Sequence, residues 1–67
     1  MTQGERIVKY IADFGSISPM EAFMDLGITK LATRVSELRA EGVEIFDTWE
    51  EKANRYGDKA RYKRYTM

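Results

Sequence analysis

SPMEAFMDLGITKLATRVSELRA, residues 18–40, decides the fold, because it holds two helix beginnings and a helix ending within one short span. Ser18 stands as a cap. Pro19 takes the first helical position, where its missing N–H costs nothing, and Glu21 the third, where it completes a capping box. Met20, Phe23, Met24 and Leu26 supply the apolar atoms of this helix, with Met20 and Met24 expected as core fillers. Ala22 offers a flat spot for close helix approach, and Gly27 ends the helix. Only Ile28 separates that glycine from Thr29, the expected cap of a third helix running from Lys30 to Ala40 or Glu41. Two helices joined by so short a turn are expected to cross steeply instead of lying side by side.

Upstream, Thr2 and Glu5 have capping-box spacing and open a first helix over residues 3–13. Ile7, Ile11 and Phe14 fall on one face with Val8 beside them, and Gly15 can end the helix in a left-handed conformation. Downstream of Gly42 the residue types become those of β-strands: Val43, Ile45, Phe46, Thr48 and Trp49, then a second run from Arg61 to Met67 carrying Tyr62 and Tyr65. Asn54-Arg55-Tyr56-Gly57 reads as a four-residue hairpin loop between them. That framing sets Ala53 opposite Asp58, Glu50 opposite Arg61, Trp49 opposite Tyr62, Asp47 opposite Arg64, Phe46 opposite Tyr65 and Lys63 opposite Thr48. The predicted fold class is α+β, one domain over residues 1–67, with a three-helix core followed by a two-stranded hairpin.

Composition narrows the function. With 67 residues there is room for one core, and with neither cysteine nor histidine that core forms without disulfides or the usual zinc ligands. Hydrophobic residues make up 43% of the chain, enough for a folded globule. No apolar run suits a signal peptide or a membrane span, so a cytoplasmic location is expected, without membrane association. An enzyme is not expected: there is no histidine or cysteine, no glycine-rich phosphate loop and no serine in a nucleophile elbow. Neither a cofactor nor a small-molecule substrate is called for. Net charge is zero, yet the charges are segregated. Glu41, Glu44, Asp47, Glu50 and Glu51 form an acidic block, followed by Lys52, Arg55, Lys59, Arg61, Lys63 and Arg64 against Asp58 alone.

The chain resembles the winged helix-turn-helix superfamily, and within it the small helix-turn-helix proteins of bacteriophages and prophages. Gly15-Ser16-Ile17-Ser18-Pro19, Glu21-Ala22, Leu26-Gly27-Ile28, Leu31-Ala32, Arg34 to Arg39, Gly42 and the strand Arg61 to Tyr65 carry the likeness, which spans nearly the whole chain. It implies double-stranded DNA binding, with the third helix in the major groove and the hairpin, or wing, on the backbone or in the minor groove. Winged helices serve as repressors, activators, recombination accessories and protein-interaction modules, so the biological role is less specified than the fold.

The helical wheel selects side chains for that task. Leu31, Val35 and Leu38 cluster in a narrow arc and face the core, leaving Thr29, Lys30, Thr33, Ser36, Glu37 and Ala40 on the far side. Thr33 and Ser36 suit a base edge or a phosphate, and Lys30 a guanine or a phosphate. Glu37 either accepts from a cytosine amino group or pairs with Arg34 three residues before it. Arg34 and Arg39 flank the core arc, each free to reach a phosphate or to form an intramolecular salt bridge, with Arg34 favoured for DNA. On the wing, Asn54, Arg55 and Lys59 at the tip, with Lys52 close by, suit backbone or minor-groove contact. Arg61 and Arg64 are expected to neutralise Glu50 and Asp47, whereas Lys63 has no such partner. Trp49, Tyr62 and Tyr65 are expected to pack, leaving Tyr56 exposed at the tip. The rival reading is a protein-interaction module, and a domain this small is expected to bind DNA as a homodimer or with a protein partner.

Overall fold

The computed structural model describes all residues, 1–67. Helix α1 spans Gln3–Phe14, α2 Pro19–Leu26 and α3 Leu31–Ala40, followed by strands β1, Phe46–Ala53, and β2, Lys59–Thr66. Both capping boxes form. Thr2 Oγ1 accepts the Glu5 N–H while the Glu5 carboxylate accepts the Thr2 N–H, and Ser18 and Glu21 do the same for α2. Gly15 and Gly27 end their helices at φ +90° and +69°, the left-handed region that glycine enters without a Cβ penalty.

The core joins the three helices to β2 and to the connecting segments before α2, before α3 and before β1. Ile7 and Ile11 of α1, Ala22 of α2, Ile28 in the turn, Leu31, Val35 and Leu38 of α3, and Ile17, Ile45 and Tyr65 are all buried. Ile17, between α1 and α2, also pairs with Tyr65 through two backbone hydrogen bonds of 2.9 Å, one in each direction. This bridge adds a third lane to the sheet and ties the base of the wing to the helices. Beyond the base the ribbon projects: residues 51–61 are all exposed, and the molecule measures 39 × 21 × 20 Å.

Several expectations are corrected. Thr29 does not cap α3; Lys30 holds that place, its carbonyl accepting the Arg34 N–H at 3.1 Å, without a side-chain cap. Phe14 does not join Ile7 and Ile11 in the core, since it is exposed and tilts against the ring of Tyr10 at 4.7 Å. Met20 and Met24 are surface residues, 68% and 70% exposed, because Ala22 and Leu26 form the inward side of this eight-residue helix. Val43 and Ile45 precede β1, packing as a connector between α3 and the wing.

The hairpin register differs by one residue from the expected one. Ala53 faces Lys59, Glu51 faces Arg61, Glu50 faces Tyr62, Trp49 faces Lys63, Thr48 faces Arg64 and Asp47 faces Tyr65. The tip explains the shift. Asn54 Oδ1 accepts the N–H groups of both Tyr56 and Asp58, the Gly57 N–H reaches the Asn54 carbonyl at 3.1 Å, and Gly57 sits at φ +83°. The Asn54 N–H also donates to the Asp58 carbonyl at 2.7 Å, so Asn54 and Asp58 face one another. The loop proper is therefore Arg55-Tyr56-Gly57, a three-residue turn ending in a left-handed glycine. A slip of one residue exchanges the neighbours of every side chain across the ribbon.

Candidate nucleic-acid interface

The third helix is anchored on one side and open on the other. Leu31, Val35 and Leu38 are at most 7% exposed, whereas Thr29, Lys30, Thr33, Ser36, Glu37 and Ala40 are all exposed and the wing does not cover them. Lys30 has no ion-pair partner, and the first turn of α3 carries neither an acidic residue nor a side-chain cap. The positive end of the helix dipole is thus left uncompensated beside Thr29, Lys30 and Thr33.

The two arginines that flank the core arc are both engaged. Arg34 meets Glu37 at 3.0 Å and lines a groove between α1 and α3, with Val8 and Leu38 among its walls. Arg39 is a clamp: its Nε and Nη2 donate to the Ile45 carbonyl at 3.1 and 2.7 Å, and Nη2 also reaches Asp47 at 2.9 Å. It fastens the last turn of α3 to the base of the wing.

Alternate residues of a strand share a face, so the register sorts the wing side chains into two sets. One face carries Asp47, Trp49, Glu51 and Ala53 with Tyr65, Lys63, Arg61 and Lys59. It begins at the Arg39–Asp47 contact and so lies on the α3 side. The other carries Phe46, Thr48, Glu50 and Lys52 with Thr66, Arg64, Tyr62 and Ala60. This second face is locked to α2. Arg64 donates to Glu50, to Glu21 at 2.9 Å and to Ser16 Oγ at 3.0 Å, while the Tyr62 hydroxyl donates to Glu50 at 2.9 Å.

At the tip, Arg55 and Lys52 have no ion-pair partner, Lys59 lies 3.6 Å from Glu51, and Tyr56 is 86% exposed. Asn54 uses its side-chain oxygen to hold the loop, leaving its amide group for other contacts. The expected pairs of Arg61 with Glu50 and Arg64 with Asp47 do not form; Arg61 lies 3.8 Å from Glu51, and Arg64 joins Glu50 and Glu21. Lys63 does have a carboxylate in range, Asp47 at 3.9 Å. Trp49, expected to pack against Tyr62, is 57% exposed among cations.

Two carboxylates at the wing base titrate low. Hydrogen bonds from Tyr62 and Arg64 hold Glu50 below the usual carboxylate range, and the hydrogen bond from Arg39, with Lys63 nearby, does so for Asp47. A carboxyl depressed in the folded state stabilises the fold above its unfolded pKa, and that contribution disappears as pH falls through the folded value. The melting temperature should therefore stay level from neutral pH to about 5 and decline below about 4. Circular-dichroism melts across that range check this, and Glu50→Gln should flatten the decline. At the other end of the scale, the hydrogen bond from the Tyr10 hydroxyl to Asp25, at 2.6 Å, and the carboxylate charge push Tyr10 up to about 12.

No match was found among curated proteins or solved structures. A family model described as winged helix-turn-helix domain matches residues 2–67. Since that match takes in all three helices, the Ile17 bridge and the hairpin, the chain belongs to the winged helix-turn-helix family, whose fold is a DNA-binding one and typically non-enzymatic.

Proposed function

We propose that this protein binds double-stranded DNA as a transcriptional regulator or DNA-transaction accessory of phage or prophage type, acting in the bacterial cytoplasm. In this reading α3 enters the major groove with Thr29, Lys30, Thr33, Ser36 and Glu37, and Arg34 turns from Glu37 to a phosphate. Lys52, Asn54, Arg55 and Lys59 follow the backbone or enter the minor groove. The observation that carries the reading is the open far side of α3 beside a projecting ribbon whose tip cations have loose partners or none. Zero net charge sets the expected strength. Non-specific affinity is modest and falls steeply with salt, because each neutralised phosphate releases counterions. Titration of a labelled random-sequence duplex at several salt concentrations tests this; a complete lack of binding at low salt would refute it.

A second reading, a protein-interaction module without DNA binding, is favoured by one observation: Met20, Phe23 and Met24 form an exposed apolar stripe on α2. The same titration separates the two readings. Because one small domain reads few base pairs, the chain is further expected to occupy its target as a homodimer or with a partner. Light scattering with and without an operator-like duplex should detect two copies per duplex, and tight binding of a single copy would contradict that expectation.

A further inference from the structure

We propose that the outer side of α2 is the surface through which two copies of this chain pair, antiparallel, about a two-fold axis passing between Phe23 and Met24. The proposal rests on the reading of the protein as one that works as a homodimer, and it gives that dimer its interface.

Helix α2 has two apolar sides. Ala22 and Leu26 face the core, while Met20, Phe23, Met24 and Gly27 run along the outer side at positions i, i+3, i+4 and i+7, the spacing of a helix–helix seam. A helix apolar on both sides is ordinarily buried on both. Nothing in the chain covers this one, for Met20, Phe23 and Met24 are 68%, 53% and 70% exposed, and Gly27 is exposed as well. No charge stands in the seam. Glu21 and Asp25 flank it, and both are engaged within the molecule: Glu21 accepts from the Ser18 N–H and from Arg64, and Asp25 from the Tyr10 hydroxyl.

The stripe is complementary to itself. With two such helices antiparallel about the axis, each position meets the one equally far beyond it in the other copy, so Phe23 meets Met24 of the second copy and Met20 meets Gly27. Gly27 has no side chain, and apart from its chain neighbours no atom lies within 4 Å of the place a Cβ would take. The hollow suits the flexible thioether of Met20, and phenylalanine against methionine is a favourable sulfur–aromatic contact. A foreign partner would have to supply a matching surface, whereas a second copy already carries it. The exposed parts of Met20, Phe23 and Met24 amount to roughly 400 Å² per copy, the size of patch that marks an interaction site. Two copies with their rims bury on the order of 1,000 Å², the lower limit for a specific interface. Pairing at that limit is weak, with a dissociation constant on the order of 0.1 mM, so the chain is a monomer at the micromolar concentrations of a thermal melt. On a duplex that holds two copies side by side, the same seam acts within one complex and makes their binding cooperative.

Sedimentation equilibrium of the whole chain without DNA, from about 20 µM to about 1 mM, reads the pairing. The parent should pass from monomer toward dimer mass across this range. Met24→Glu and Phe23→Lys each set two like charges beside the axis, and each should weaken association by roughly tenfold or more. Both positions are exposed, so circular dichroism should show the parental fold. Mixed in equal amounts, the two variants should pair more tightly than either alone, because the introduced carboxylate then faces the introduced ammonium. A parent that stays monomeric at the highest concentration overturns the proposal and leaves the stripe to a different protein. Dimer mass for Met24→Glu as for the parent, or variants that stay apart when mixed, would remove α2 from the interface while the homodimer reading survives. Anisotropy of a labelled duplex is read separately: a chain that pairs but binds no DNA would refute the DNA-binding reading and leave this seam standing.

Discussion

Ile17→Ala is expected to lower the melting temperature by about 8 °C or more, the largest effect of any single truncation considered for this chain. Ile17 is fully buried, and it lies in the short segment whose backbone pairs with Tyr65. Cutting it to alanine removes apolar contacts at the point where α1, α2 and the wing base meet, and leaves a cavity that the bridged backbone cannot close. Truncations of this kind cost about 2–5 kcal/mol. A domain of this length has a total stability of roughly 3–10 kcal/mol, so a large share would be lost. Met24→Ala supplies the contrast, since its side chain is 70% exposed and its loss should leave the melt unchanged. Thermal denaturation followed by circular dichroism measures both; equal melting temperatures for Ile17→Ala and the parent would show that the segment is not part of the core.

Arg55→Ala combined with Lys59→Ala should weaken duplex binding on the order of tenfold to a hundredfold at 0.1 M salt and lower the salt slope by about 1.8. The loss should be nearly equal for unrelated duplex sequences. Cations at the tip of a ribbon meet phosphates and sugars, which position a protein without reporting the bases. Neither substitution touches the core, because residues 51–61 are all exposed. Parallel titrations with two duplexes of different sequence decide the matter. A loss confined to one of them would mean that the wing reads bases.

Much of this architecture can be read from local signals. Thr2 with Glu5 and Ser18 with Glu21 are short-range devices whose partners lie three residues apart, and both form as expected. Leu31, Val35 and Leu38 follow the helical period, so the buried side of α3, and with it the open side, is legible in the chain. The errors lie where tertiary context or a single hydrogen bond decides. Met20 and Met24 have core-forming chemistry, but the packing surface of α2 is narrow and Ala22 with Leu26 already fills it. Phe14 belongs to the same stripe as Ile7 and Ile11, yet it falls at the end of α1, beyond the reach of the core, against Tyr10.

The wing register is the most consequential case. Opposite charges can be aligned in either of two registers, so charge pairing alone does not choose between them. Asn54 and Gly57 do choose, by closing a three-residue loop, and the signal is present in the chain as an asparagine three places before a glycine. With that loop, Trp49 leaves Tyr62 for Arg61 and Lys63, and a residue expected to pack becomes the centre of a cationic face.

The most direct measurement is a nitrogen–proton NMR titration with random-sequence duplex, following every backbone amide. Shifts should concentrate at Thr29, Lys30, Thr33 and Ser36 on α3 and at residues 52–63 of the wing, with α1 and the outer side of α2 little changed. Perturbation centred on Phe14, Met20, Phe23 and Met24, or a spectrum that does not respond to DNA, would contradict the placement of the binding surface.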